Sequence, residues 1–199
     1  MASVYDLKPR FQALLKPLVG QLSRRQVTPN MVTLAALAGS ALVGLHFYLC
    51  AARPFWLLMP LWLFVRMGLN ALDGMLAREQ NSQSRLGAAL NELGDVLSDL
   101  LLYLPLGAVY PPAEASIACF ALLAALTEFC GLLGQALGGS RRYDGPMGKS
   151  DRAALVGVLV LLTWIVRPLR WVWPAIFWGA SLLAARTCFN RLMAAVRET

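Results

Sequence analysis

The chain is poor in charge for its length. Only 15% of its 199 residues are charged, against roughly a quarter in soluble globular proteins. Apolar residues make up 58% of the sequence and are gathered in long runs. An ordinary soluble domain is therefore excluded, and the sequence predicts an integral membrane protein of a single domain, 1–199.

Residues that bind soft metals are also scarce. His46 is the single histidine, and the cysteines lie in apolar segments without any CxxC pair: Cys50, Cys119, Cys130 and Cys188. Buried free thiols are the expected state, and a zinc site of the Cys/His type is not predicted. The first thirty residues lack a clean apolar core, so we do not expect a signal peptide.

Six apolar stretches predict an all-α, polytopic bundle over 31–193. They are 31–52, 55–78, 86–110, 113–137, 152–166 and 171–193. Before them, leucines and Phe11 recur at helical spacing among basic residues. This pattern predicts an amphipathic helix over 3–26 that lies in the membrane interface. A soluble helix packed on the bundle is the alternative.

Basic residues give the chain a formal net charge of +7. Fourteen lysines and arginines fall on the side of the N-terminus, against three on the other side. In a membrane protein this bias marks the cytoplasmic loops rather than nucleic-acid binding. We therefore expect a multi-pass protein of the inner, cytoplasmic membrane, with both termini in the cytoplasm and no nucleic-acid partner.

Acidic groups are concentrated in one segment, NALDGMLAREQNSQSRLGAALNELGDVLSD, at 70–99. It joins the second and third predicted spans, so it forms a hairpin that opens to the cytoplasm. Asn70 and Asp73 are three residues apart, and Asn91, Asp95 and Asp99 are four apart, which places each set on one helix face. Oxygen donors without nearby His or Cys favour Mg²⁺ or Mn²⁺. Magnesium held by few carboxylates usually bridges to phosphate, so the segment indicates a phosphorylated ligand.

The same segment resembles the signature of the CDP-alcohol phosphotransferases, D-x2-D-G-x2-A-R-x8-G-x3-D-x3-D. The matching residues are Asp73, Gly74, Ala77, Arg78, Gly87 and Asp95. The flanking segments VTPNMVT (27–33) and GPMGKSDR (145–152) are also similar to the family. The resemblance covers essentially the whole chain. It implies a membrane enzyme that moves a phosphatidyl group from CDP-diacylglycerol to an alcohol, releases CMP and acts as a homodimer.

Asn70 and Asn91 depart from the signature, since they stand where it has its first and third aspartates. The resemblance implies that Asp73, Asn70, Asn91 and Asp95 form the metal site and that Asp95 is the general base. Because amides bring oxygen but no charge, we expect weaker metal binding, with one ion or two. Glu92 and Asp99 are candidates to compensate.

The resemblance also implies where the CDP diphosphate binds. Gly74, Ala77 and Gly87 are small, as close approach of a nucleotide requires, and tight helix packing would require the same. Arg78 is a candidate phosphate partner, or a helix-end charge near anionic headgroups.

A second basic cluster, RRYDGPMGKSDR, precedes the fifth predicted span. Its GKS is not a P-loop, because Tyr143 stands where the first glycine belongs and no strand precedes it. Arg141, Arg142, Lys149 and Arg152 are candidates for binding the phosphate of the acceptor. That interpretation favours a polyol phosphate such as glycerol 3-phosphate, whereas ordinary cytoplasmic loop charge would leave the acceptor a small neutral alcohol.

Arg66 and Glu128 lie inside apolar spans, where an ionisable residue requires a partner. We expect them to pair with one another, with Glu128 lining the acceptor cavity as the alternative.

Three functions are compatible with this sequence. The first is the phosphatidyltransferase. The second is a catalytically impaired relative that binds CDP-lipid, suggested by Asn70 and Asn91. The third is an ion- or proton-coupled transporter, which the collection of acids at one membrane face disfavours, since a transporter distributes them along a path.

Overall fold

The computed structural model describes residues 4–50 and 53–198, and helices dominate it. The helices are α1 (Val4–Arg24), α2 (Pro29–Leu49), α3 (Leu58–Glu79), α4 (Arg85–Tyr103), α5 (Pro105–Val109), α6 (Glu114–Ala136), α7 (Lys149–Ile165) and α8 (Trp173–Glu198). Short 3₁₀ turns, Arg53–Leu57, Pro111–Ala113 and Arg167–Val172, join several of them. No strand occurs within the described ranges, so the predicted all-α class is confirmed.

The first long helix of the bundle begins where the sequence supplies a cap. Thr28 has extended backbone and its hydroxyl accepts a hydrogen bond from the Met31 N–H at 3.3 Å. Pro29 follows at the first helical position, where its missing N–H costs nothing. The predicted first span, 31–52, therefore becomes α2, and residues 51 and 52 lie outside the described residues.

Four segments are long and apolar enough to cross a membrane: Pro29–Leu49, Phe55–Glu79, Pro111–Ala136 and Arg167–Glu198. The third and fifth predicted spans are not among them. Helix α4 carries several charged residues, and α7 has only 17 residues. The count of six spans is therefore not confirmed and stays a prediction.

The predicted third span is interrupted near its far end. Pro105 has no N–H to continue the helix, so α4 ends at Tyr103 and the short helix α5 begins at Pro105. The N–H of Leu104 still bonds to the Leu100 carbonyl at 3.1 Å, so α5 follows α4 without a loop.

Helix α1 lies within the predicted range 3–26, of which Ser3 is outside the described residues. Val19 is buried, and Leu15 and Leu22 pack beside it against Leu72 and Leu76 of α3. Leu14, on the other side, is 78% exposed. The amphipathic helix in the membrane interface therefore stays a prediction.

Packing brings the polar helices together at one end of the bundle. Helix α2 packs against both α3 and α4, α6 packs against α8 and α4, and α7 packs against α3. The main apolar core includes Phe47, Tyr103, Phe120, Trp173 and Phe177. The C-terminal end of α3 and the N-terminal ends of α4 and α7 converge beyond this core and carry the candidate site.

Candidate active site

The turn between α3 and α4 aligns the two helices of the signature. Gln80 donates a hydrogen bond from its side chain to the Val27 carbonyl at 2.8 Å, which ties the end of α3 to the start of α2. Asn81 takes a positive φ of 49°, a conformation that asparagine tolerates. Ser84 caps α4 by accepting the Gly87 N–H at 3.0 Å.

Asp73 is a buried carboxylate with a neutral partner. Its Oδ2 accepts a hydrogen bond from the Thr33 hydroxyl at 3.0 Å. It forms no ion pair with any residue that the structure describes. Its negative charge is therefore available to a cation that comes from outside the chain.

Asp95 is buried as well, but donors occupy both of its oxygens. Oδ1 accepts a hydrogen bond from Asn70 Nδ2 at 2.6 Å and another from Arg66 Nη2 at 3.3 Å. Oδ2 forms an ion pair with Lys149 Nζ. Three helices, α3, α4 and α7, thus meet at this one carboxylate.

Only some of the residues that were predicted to bind metal contact one another. Asn70 contacts Asp95 through its amide nitrogen, so it acts there as a donor of hydrogen rather than as an oxygen ligand. Asn91 is half-buried on α4, and its side chain has no hydrogen-bond partner among the described residues. Asp73 lies close enough to Asp95 and Lys149 for their charges to interact.

Two buried arginines hold Asp99, four residues further along α4. Arg66 Nη1 donates to its Oδ1 at 2.6 Å, and Arg152 Nη2 donates to its Oδ2 at 3.1 Å. Arg152 is fully buried and also bonds Thr127 and Glu128. The predicted pairing of Arg66 with Glu128 is therefore wrong, because Arg66 lies against α4 instead.

Glu128 of α6 is the centre of a second set of ion pairs. Its Oε1 accepts from Arg152 at 2.9 Å and lies 3.5 Å from Arg191 Nη1. Its Oε2 lies 3.0 Å from Arg141 Nη2, and Arg141 also pairs with Glu92. Arg191 was not predicted from the sequence as part of the site. Its spacing from the motifs carried no signal, because α8 reaches the site only through the fold.

The loop before α7 is anchored at several points, and these fix Lys149. Gly145 has a φ of 116°, and a Cβ there would lie 2.7 Å from Thr187 of α8, so only glycine fits. The Met147 N–H bonds the Thr187 hydroxyl at 3.0 Å. Asp151 accepts the Gly148 N–H at 2.9 Å, which starts α7 at Lys149.

The four residues predicted for the acceptor phosphate are in different surroundings. Arg141, Lys149 and Arg152 pair with the carboxylates described above. Arg142 lies away from them, where it bonds Asp144 and Glu198 at 3.0 Å each. The hydrogen bonds to Asp144 and Glu198 raise the pKa of the Arg142 guanidinium.

The residues predicted to bind the CDP diphosphate line the start of the hairpin. A Cβ on Gly74 would meet no atom within 4 Å, so there is open space beside it. A Cβ on Gly87 would lie 3.1 Å from the Asn30 and Ser84 side-chain oxygens, so Gly87 serves packing. Ala77 is half-buried and Arg78 is exposed. Their contact with CDP remains a prediction.

A groove of about 750 Å³ lies between α4 and α6, next to these ion pairs. Its wall is largely apolar and includes Ala88, Leu93, Val96, Phe129 and Leu132. Glu92 and Arg141 lie in the same groove. The groove is therefore apolar along most of its wall and charged at one end.

The donor set determines which metal site the residues fit. No three Asp, Glu, His or Cys side chains within the described ranges converge on one metal position. Asp73, with the amide oxygens of Asn70 and Asn91, provides oxygen ligands and a single negative charge. Donors of this type suit one Mg²⁺ or Mn²⁺ that would complete its coordination with ligand phosphate oxygens, and their convergence on one ion stays a prediction.

The sequence profile described as CDP-alcohol phosphatidyltransferase matches residues 26–187. The chain belongs to this family. Membership confirms the family resemblance and the predicted enzyme class. That Asn70 and Asn91 stand where the family has aspartates stays a prediction.

Relatives of known sequence support the family. The Inner membrane protein YnbA of Escherichia coli K12 is 50% identical over 191 residues, which cover 95% of this chain and 94% of that protein. A phosphatidylinositol phosphate synthase of Mycobacteroides abscessus is 33% identical over 89 residues, 45% of this chain and 39% of that protein. The likeness to YnbA and the apolar helices confirm that the protein is embedded in a membrane.

Solved structures show the same fold. The Mycobacterium tuberculosis phosphatidylinositol phosphate synthase PgsA1 with CDP-DAG bound has a TM-score of 0.74 at 18% identity, covering 90% of this chain and 92% of that one. The same enzyme in complex with manganese and citrate has a TM-score of 0.74 at 19% identity, covering 90% and 88%. At this identity the likeness concerns the fold.

Proposed function

We propose that the protein transfers the phosphatidyl group of CDP-diacylglycerol to the hydroxyl group of a small alcohol or polyol phosphate and releases CMP, in phospholipid biosynthesis. One observation carries the proposal: Asp73 and Asp95, which match the family signature by spacing, lie on two different helices but are near enough for their charges to interact. The solved relative with CDP-DAG bound supports the choice of donor.

The donor binds at the opening of the hairpin. The open space beside Gly74 admits the diphosphate close to the backbone of α3, and exposed Arg78 supplies positive charge at the same end. Acyl chains follow the apolar groove between α4 and α6. Asp73, with Asn70 and Asn91, holds one divalent ion, which when bound neutralises charge on the diphosphate.

The reaction is a substitution at phosphorus. The acceptor oxygen forms a bond to the lipid-side phosphorus, and the bond from that phosphorus to the oxygen of CMP breaks. CMP leaves with the electron pair of that bond. Asp95 takes the proton of the attacking hydroxyl, which makes the oxygen more nucleophilic as its bond forms.

A small alcohol without a phosphate group fits the acceptor side best. Each of Arg141, Arg142, Lys149 and Arg152 already faces at least one carboxylate. At Arg152 an acceptor phosphate would displace Asp99 and Glu128, and removing one partner of a buried ion pair is costly. Glycerol 3-phosphate remains the phosphorylated acceptor to test against the free alcohols.

The orientation of the protein follows from its charge. With most lysines and arginines on the side of the site, the site and both termini face the cytoplasm. A homodimer is the assembly that the family resemblance implies.

A catalytically impaired CDP-lipid-binding protein is the second candidate. The observation in its favour is that donors occupy both oxygens of Asp95, so one donor must leave before Asp95 can accept a proton from an acceptor hydroxyl. It predicts that CDP-diacylglycerol binds and that no CMP is released with any acceptor.

One assay separates the two functions. The purified protein in nanodiscs receives CDP-diacylglycerol, Mn²⁺ and a panel of alcohols and their phosphates, and CMP release is followed. We expect release with a free alcohol, and its loss in Asp95→Asn with CDP binding retained. The matched control is Glu79→Gln, an exposed carboxylate on α3, which keeps full activity. Binding of CDP-diacylglycerol without CMP release from any acceptor would overturn the enzyme proposal.

A further inference from the structure

The negative charge of Asp95 is already neutralised from within the protein. Asn70 and Arg66 contact Oδ1, and Lys149 pairs with Oδ2. A divalent ion bound by Asp95 would displace these donors and would then lie beside two cationic side chains. Repulsion between like charges at such distances in a partly buried site disfavours that arrangement.

Asp73 differs from Asp95 in this respect. The Thr33 hydroxyl is its side-chain partner, and this neutral donor orients the carboxylate without cancelling its charge. Of the two signature carboxylates, Asp73 on α3 has no ion-pair partner among the described residues, whereas Asp95 on α4 is already paired with Lys149.

Lys149 is the cation of this cluster that a ligand can reach. Its side chain is 30% exposed, whereas Arg66 is 4% exposed and Arg152 is fully buried. It stands at the first position of α7, where Asp151 and the Met147 contact with α8 fix the backbone. A lysine side chain on a fixed backbone has a mobile ammonium group with three donors.

We propose that Lys149 does the work of one divalent cation in this protein: its ammonium group binds the diphosphate of the CDP-linked lipid beside Asp95, and the site takes up one metal ion, at Asp73. The inference rests on the proposed CDP-linked donor. Asn70 belongs to the same exchange, because its amide donates to Asp95 where an aspartate would repel it.

Binding then exchanges one ion pair for another. Lys149 Nζ moves from Asp95 Oδ2 to a diphosphate oxygen, and no covalent bond changes. Arg66 and Asn70 remain on Oδ1. The released Oδ2 is free to accept the proton of the acceptor hydroxyl. Binding of the CDP-linked lipid therefore makes Asp95 available as the general base.

The test counts bound ions without relying on turnover. Mn²⁺ is titrated into the purified full chain in the presence of saturating CDP, and free Mn²⁺ is measured by electron paramagnetic resonance. We expect one ion per chain for the wild type. The double variant Asn70→Asp/Lys149→Ala, which restores an acid and removes the cation, takes up a second ion. Two ions in the wild type, or none, overturns the proposal.

CDP affinity gives an independent measurement if the double variant fails to fold. Calorimetry should show that Lys149→Ala weakens CDP binding about tenfold, as loss of a charged hydrogen bond does, that Lys149→Arg restores most of it, and that the exposed control Arg186→Ala leaves it unchanged. Unchanged affinity in Lys149→Ala overturns the proposal. If the protein binds one ion and CDP but releases no CMP, the transferase proposal is refuted and this inference stands. If it releases CMP and binds two ions, this inference is refuted and the transferase proposal stands.

Discussion

The carboxylates on the two helices of the hairpin have opposite kinds of partner. On α3, Asp73 accepts a hydrogen bond from a neutral hydroxyl, so its negative charge remains available to a cation. On α4, Asp95 and Asp99 are enclosed by Lys149, Arg66 and Arg152. Acids of one site can thus serve different purposes. The α3 side is suited to an ion from solution, and the α4 side is suited to holding three helices together.

The largest effect is expected on α4, in the variant Asp99→Asn. It leaves buried Arg66 and Arg152 with one charged partner fewer, and breaking a buried pair in this way costs about 3–5 kcal/mol. The measurement is thermal unfolding of the purified protein, with Asp144→Asn as the control because its pair with Arg142 is partly exposed. Equal melting temperatures for both variants would show that the Asp99 network adds nothing to stability.

On α3, Asp73→Asn removes the signature carboxylate that has no ion-pair partner among the described residues. We expect CMP release to fall at least about a hundredfold, which corresponds to about 2.7 kcal/mol, while the melting temperature changes little. Turnover assays at several Mn²⁺ concentrations check this. Retained activity at low Mn²⁺ would place the metal elsewhere.

A smaller effect is expected from Thr33→Val, which removes the hydroxyl that orients Asp73. Loss of a residue that orients a metal ligand commonly weakens metal affinity by roughly tenfold or more, so we expect about a tenfold rise in the Kd for Mn²⁺. Ser40→Ala is the matched control, because Ser40 lies on the same helix and bonds Trp62 instead. A rise of similar size in both variants would argue against a specific role for Thr33.

The smallest effect is expected from Arg142→Ala, which lies outside both halves of the site. Its partners are the partly exposed Asp144 and Glu198, so we expect the KM for a free alcohol to change less than about twofold. The same variant is then assayed with glycerol 3-phosphate. A large rise in KM for the phosphorylated acceptor alone would restore the predicted phosphate pocket.

Local patterns in the sequence predicted most of the helices. The expected range 55–78 became α3 at Leu58–Glu79, and 113–137 became α6 at Glu114–Ala136, because caps, prolines and apolar runs act over a few residues. Pro105 was overlooked as the end of α4, although its missing N–H required it.

Long-range pairing was much harder to predict. The resemblance named Asp73 and Asp95 from spacing alone, and in the structure the two are near enough for their charges to interact. Nothing in the spacing says that Lys149, 54 residues further along, reaches Asp95. Arg66 was expected to pair with Glu128, yet it pairs with Asp99, because the choice among buried acids depends on how α3 packs beside α4.

The contrast between Asp73 and Asp95 can be tested most directly by locating the metal. Crystals grown with CDP-diacylglycerol and Mn²⁺ would be measured at the manganese absorption edge, where anomalous scattering marks each ion. We predict one peak per chain within coordination distance of Asp73, with Lys149 turned toward the diphosphate. Two peaks, or a single peak bound by Asp95, would contradict the account.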